Sequence, residues 1–266
     1  MGRNAGLRGL LQAVVTDLPF WHEFAGPVEV PESFDVSHGW SEWLSLGNAP
    51  PTGLPGDQLT VNNGQPVGDC FFAAAYHGLI TKALVPAGAG KWRLRDGFVL
   101  PTADHVVGLY LAFQRGLPPG SLAASGPDNG TEPVAGFEWL RAAGIIKRWW
   151  PVDPDRLDAA TFQHQGVLTA WALDRDAEIE FEEHKPWLEI PATIDPTIGG
   201  HATYRVARDP RYGTEITWAA DEQASLDWEQ HHLQAAYGFQ APWEPDPAGV
   251  DFRPLDEKLA ALRAGM

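Results

Sequence analysis

Apolar residues fall at helical spacing in the first half of the chain and at strand-like spacing in the second. Asp69 stands where a helix cap would, and the residues from Cys70 to about Leu84 are so densely apolar that the helix they predict must be mostly buried. Thr102 caps a second predicted helix whose inner face is Val106, Val107, Tyr110, Leu111 and Phe113. A third, Glu132–Ala143, carries Val134, Phe137, Trp139 and Leu140 and ends at Gly144, a fitting C′ residue. Downstream, Val167–Leu173 and Ile179–Phe181 read as strands, and His201–Ala207 with Thr214–Ala220 flank a hairpin turn at 209–213. The chain closes on Pro254–Met266, where Leu255, Leu259 and Leu262 mark a docked terminal helix. Met1–Val15 reads as a short amphipathic helix, and the Pro- and Gly-rich stretch 27–68 as an extended segment anchored by Trp40 and Trp43. Helices first and antiparallel strands second is the α+β pattern. The expected division is an N-terminal extension over 1–30 and one domain over 31–266, mainly helical to 155 and mainly β, with a C-terminal helix, from 156.

Composition narrows the chemistry. The 266 residues carry 19 Lys+Arg against 35 Asp+Glu, a net charge of −16. That balance argues against nucleic acid as a partner, since phosphate neutralisation needs a basic surface. No apolar run approaches the roughly 18 residues of a membrane helix, so a membrane partner is not expected. Leu10–Val15 is too short for a signal-peptide core, which predicts no secretion. A single cysteine permits no internal disulfide and no thiolate cluster, and no motif implies a cofactor or a metal.

That cysteine is the first candidate for chemistry. Cys70 opens a helix, where unpaired N–H groups and the helix dipole favour an anion and so bias a thiol towards thiolate. Taken alone, a lone buried cysteine is a small hydrophobe. Of nine histidines, His201 stands out, because Gly199-Gly200-His201 starts a predicted strand 131 residues after Cys70. That separation lies inside the one expected between nucleophile and base in papain-type enzymes.

These stretches resemble the papain-like cysteine peptidase superfamily. Pro31-Glu32-Ser33-Phe34-Asp35 is similar to the start of a mature papain-type domain, and Gln65 through Ala74 to the approach to its nucleophile helix. Gly200-His201-Ala202 and Thr217-Trp218 resemble its histidine strand and the tryptophan strand that follows. Papain-like proteins of actinobacterial phages and their hosts look closer still. They share Gly-Asp-Cys-x-x-Ala-Ala with a histidine seven residues on (His77), an Asp-Asn-Gly-Thr turn before a Trp-Leu-Arg helix within Asp128–Arg141, and a Gly-Gly-His strand. The resemblance covers roughly residues 30–262. It implies a cleft between the two halves, a Cys70–His201 thiolate–imidazolium pair, and attack on the acyl carbon of an amide. It also implies an oxyanion held by the Cys70 N–H and the Gln65 amide, with Trp218 shielding the histidine. The partner would be a peptide or protein substrate, or phage structural proteins, in a host cytoplasm or a virion.

Three departures from the pattern stand out. Gln65 precedes the cysteine by five residues, one fewer than in papain itself, with Asn62 and Asn63 as substitutes. Asp69 places a negative charge beside the thiol unless its carboxylate turns onto the helix N–H groups. Ile216 occupies the place of the histidine-orienting Asn, two residues before Trp218 and, by alternation, on the same strand face. Asp221 or Glu222, just past the strand, would then supply the orienting carboxylate. Two functions therefore remain open: an active thiol hydrolase, or a degenerate papain-like module serving as a virion-associated scaffold. A cell-wall peptide amidase is a third, disfavoured by the long Cys-to-His spacing. Elsewhere, His77 reads as a buried structural residue, His231 and His232 as surface residues, and Glu178, Glu180, Glu182 and Glu183 as a solvated face.

Overall fold

The structure, a computed structural model, describes residues 18–23, 28–38, 60–61, 65–66, 68–188, 199–218 and 220–265. The expected helix Met1–Val15 and the anchors Trp40 and Trp43 lie outside these residues. After a 3₁₀ turn at Trp21–Glu23 come the short strands β1 (Phe34–Asp35), β2 (Thr60–Val61) and β3 (Gln65–Pro66), the last two paired with each other. Helix α1 spans Cys70–Ala83, and every residue after Cys70 is buried, as its unbroken apolar run demands. Strands β4 (Leu84–Gly88) and β5 (Lys91–Leu94) form a hairpin absent from the sequence reading. Its turn residues Ala89 and Gly90 both take positive φ, 51° and 73°, as a primed two-residue turn requires. Helix α2 spans Ala103–Gln114, with Thr102 accepting from the His105 N–H at 3.2 Å. Helix α3 spans Pro133–Ala142, capped by the Glu132 carboxylate and followed by Gly144 at φ 72°.

The second half alternates strands and short helices: β6 (Arg148–Val152), α4 (Leu157–His164), β7 (Val167–Leu173), α5 (Arg175–Glu182), β8 (Gly199–Arg208) and β9 (Tyr212–Thr217). Then follow β10 (Ala220–Ser225), α6 (Leu226–His232), β11 (Leu233–Gln240) and α7 (Arg253–Gly265). Six strands lie in the order β10-β9-β8-β7-β11-β6, all neighbours antiparallel, and β1 adds to β8. The predicted α+β architecture, helical half first and sheet-rich half second, is what the chain adopts. β6 lies before residue 155 yet belongs to the sheet, because β11 pairs with it from Ala236↔Val152 to Gln240↔Arg148.

Two predicted strands are corrected. Ile179–Phe181 is helical, inside α5: the Asp174 carboxylate caps the Ala177 N–H at 2.8 Å, and that cap outweighs the alternation of Glu178 through Glu182. The strand expected over Thr214–Ala220 ends at Thr217. Trp218 takes φ 46°, and the chain turns back into β10. The predicted terminal helix forms and buries Leu255 and Leu259.

The sheet buries both faces. Ala202, Tyr204 and Val206 of β8 join the main core with α1, α2 and α3, where Phe72, Phe137 and Trp149 are fully buried. Gly78 sets how closely α1 lies on β8, because a Cβ there would fall 2.4 Å from the Tyr204 ring. The opposite face carries a smaller cluster, Trp171, Leu173, Ala177, Trp187, Ala224 and Trp228. Beside it is a buried ionic group: Arg205 bonds Glu229 and Asp158, and Glu215 accepts from Thr203 at 2.6 Å and Thr169 at 2.8 Å. Gly213 leaves room for it, since a Cβ there would meet the Glu229 carboxylate and the Arg205 guanidinium.

Candidate active site

Cys70 is the first residue of α1, half-buried and packed against the main core. The chain reaches it through Gly68 and Asp69, and a turn at Asp128–Gly130 braces that approach. Asp128 Oδ1 accepts from the Gly68 N–H at 3.0 Å and from the Tyr110 hydroxyl, whose oxygen in turn accepts from the Gly130 N–H at 3.1 Å. A Cβ at Gly68 would sit 3.0 Å from Asp128 Oδ1, so the brace needs a glycine there or a shift of its own. Asp69 occupies the cap position and its carbonyl accepts from Ala73 N at 3.0 Å. Its carboxylate makes no cap bond and is fully buried. The expectation that capping would turn that charge away from the thiol is therefore not met.

His201 is the third residue of β8, opposite Trp171 of β7, and only 8% exposed. Its Nε2 lies 2.8 Å from Thr217 Oγ1, and the Trp218 indole stacks on its ring with centroids 4.6 Å apart and planes 22° from parallel. The stacking depends on the backbone break at Trp218, where φ is positive. In a continued strand Trp218 would share a face with Ile216; instead Ile216 is buried in the main core while Trp218 packs against the smaller cluster. The side-chain hydrogen bond that Ile216 cannot offer the His201 ring is offered by the Thr217 hydroxyl beside it. Sequence reasoning missed Thr217 because it counted back two residues from the tryptophan. The available signal was the only hydrogen-bonding side chain between Ile216 and Trp218.

Burial, with a smaller push from His77, drives the His201 pKa down to about 3. That favours a neutral ring and opposes the imidazolium that the resemblance implies. His77 itself is buried on α1, as expected. Asp221 sits on β10 directly across from Ile216, exposed, on the wall of a surface cavity that Glu222 shares. Gln65 is in β3, and its side chain, like Asn62 and Asn63, lies outside the described residues. His231 is exposed, whereas His232 is half-buried, its ring 4.4 Å from Trp228 and its Nδ1 2.7 Å from the Ala172 carbonyl. Glu180 departs from the solvated face expected of it: it is buried and accepts from the Leu188 N–H at 3.0 Å.

No family model and no curated protein sequence matches the chain. Solved structures do. Xylellain, a cysteine protease from Xylella fastidiosa, superposes with a TM-score of 0.51 over 80% of this chain and 87% of its own, at 12% identity. The fold is papain-like. A structure from the mite allergens Blo t 1 and Der p 1 aligns with a TM-score of 0.48, at 9% identity, over 86% of this chain and 77% of its own. In this fold α1 begins with Cys70 and β8 carries His201 as its third residue, and the two elements are packed together through Gly78 and Tyr204. Among the described residues no group of three or more His, Cys, Asp or Glu is placed to hold a metal ion, and no helix is long and apolar enough to cross a membrane.

Proposed function

We propose that the protein is a thiol hydrolase that cleaves an amide, in a peptide or protein, through Cys70 and His201. The observation that carries this reading is the seating of His201, with Nε2 on Thr217 Oγ1 and the ring under Trp218. Held in this way, the ring would return to one orientation at each turnover, as a base must. The ring starts neutral, so His201 takes the thiol proton through Nδ1 as Cys70 Sγ attacks the acyl carbon. The α1 N-terminus, the Cys70 N–H and Gln65 stabilise the tetrahedral oxyanion. Collapse expels the amine, which takes the proton from His201, and water then hydrolyses the thioester by the same base.

The second reading, a non-catalytic scaffold of the virion-associated kind, is favoured by one specific observation: burial holds His201 far from its charged form. Alkylation separates the two. Iodoacetamide followed by intact mass should label Cys70 at least about tenfold faster than an unassisted thiol at pH 7, and His201→Ala should remove the advantage. Labelling at the unassisted rate, unchanged in His201→Ala, would leave the scaffold.

A further inference from the structure

A cavity of about 460 Å³ opens on the β10 side of the sheet, between β1 and the segment that follows α5. Its size lies in the range of small-molecule sites, roughly 300–1,000 Å³. Three carboxylates line it from two elements: Asp35 of β1, and Asp221 and Glu222 of β10. Lys185 is the one Lys or Arg among the lining residues, and its Nζ is bonded to Glu183 at 2.5 Å.

Two of the lining groups each keep an unmet polar atom, although the Glu222 carboxyl also accepts from the Trp187 backbone. Glu222 is 6% exposed and Ser37 3%, and neither Glu222 Oε1 nor Ser37 Oγ has a hydrogen-bond partner among the described residues. Buried polar atoms are rarely left so, each unsatisfied group costing about 1–3 kcal/mol. An acceptor and a hydroxyl at the wall of an acidic cavity fit a ligand that brings N–H donors and positive charge. Phe181, also on the wall, would pack an alkyl stem.

We propose that this cavity binds an alkyl cation with N–H donors, a guanidinium or primary ammonium head seated against Glu222, Asp221 and Ser37. A bare metal ion is the poorer fit, since no three ligating side chains are grouped to hold one among the described residues. The assignment does not depend on Cys70. Val206 lies five residues along β8 from His201, about 16 Å at the rise of a strand, although the Phe181 wall does touch Trp218 with ring centroids 4.4 Å apart.

Binding should be coupled to a proton. Burial, with the Glu180 carboxylate beside it, pushes the Glu222 pKa up to about 8, so the empty cavity holds Glu222 protonated at neutral pH. The charged or titratable groups around it are Glu180 of α5, His184 and Lys185 after it, Asp35 of β1 and Asp221 beside it. A cation displaces that proton, so affinity rises with pH until about 8 and levels off above it.

Calorimetric titration of the full chain with butylguanidinium and butylammonium tests this, with valerate as the anionic control. The expected result is one saturable site with Kd of about 1 mM or tighter, no heat from valerate, and a binding heat that changes with buffer ionisation enthalpy as proton release requires. Glu222→Gln, isosteric with the protonated acid, should keep the melting temperature, weaken binding at least about tenfold and abolish proton release. A two-residue Arg peptide binding about tenfold tighter than butylguanidinium would identify the natural ligand as a peptide side chain. Equal affinity would point to a free small molecule. No saturation by about 10 mM, equal heat from valerate, or unchanged affinity in both Glu222→Gln and Asp221→Asn would overturn the proposal.

Discussion

The two faces of the sheet are stabilised by different physics. Towards α1, α2 and α3 the centre of the core is apolar, with Asp69, His77, Lys82 and Glu138 buried around it, and is built on Phe72, Tyr110, Phe137 and Trp149. Their contribution comes from area removed from water and from packing, and it hardly depends on pH. The other face buries Arg205, Glu215, Glu229, Thr169, Thr203 and His201 beside a tryptophan cluster. There, stability depends on charge balance and on which groups carry a proton. The candidate histidine belongs to the polar face and the candidate nucleophile packs on the apolar one, so the proposed chemistry would join a rigid support to a titratable one.

Arg205→Met should break the comparison hardest. It leaves Glu215 and Glu229 buried without their cation, which costs about 3–5 kcal/mol at pH 8. Burial already pushes both carboxyls up, Glu229 to about 7, against the pull of Arg205. Their folded pKa values lie above the unfolded 4.5, so the neutral forms that fold well are present below 4.5 and lost as pH rises. The cost of Arg205→Met in urea denaturation should therefore shrink as pH falls from 8 towards 5. A constant cost would mean that the ionic group is not what stabilises this face.

Phe72→Ala, on the apolar face, should cost about 3 kcal/mol, and by the same amount at every pH from 5 to 8. A pH-dependent loss there would erase the distinction between the faces.

His201 has the opposite sign from the carboxyls. Its folded pKa, about 3, lies below the unfolded 6.5, so its contribution is full above pH 6.5 and lost as pH falls towards 3. Relative to His201→Gln, the native chain should lose about 1.4 kcal/mol per pH unit below 6.5. Parallel stability curves for the two proteins would mean that the ring is solvated.

Thr217→Val is the smallest and most local test. It should cost about 1 kcal/mol of stability and slow Cys70 alkylation several-fold, with the rest of the fold unaffected. An unchanged alkylation rate would remove Thr217 from the site.

Much of this was legible before any coordinates. Helices α1, α2 and α3 announced themselves through apolar spacing and through local groups at their ends, Thr102 and Gly144 among them. Local signals of that kind survive folding because they involve residues three or four apart. The misreadings all turned on something non-local or on one backbone angle. Glu178 through Glu182 alternates like a strand, and only the Asp174 cap tells otherwise. Trp218 reaches the His201 ring because it takes a left-handed φ, which no alternation rule anticipates. Arg205 and Glu215 are brought together by the register of β8 on β9, and neither residue's own neighbourhood reveals it.

The place of β11 governs the order in which the molecule can be built. It lies between β7 and β6, so two strands made early wait for the last one to separate and join them. On a ribosome the nascent chain cannot zip this sheet until residue 240 has emerged, and until then Trp149 and Trp150 have no strand beside them. Contacts of such long sequence separation make for slow folding. A sheet that Cys70 needs complete would have to wait for a strand that begins 163 residues after it.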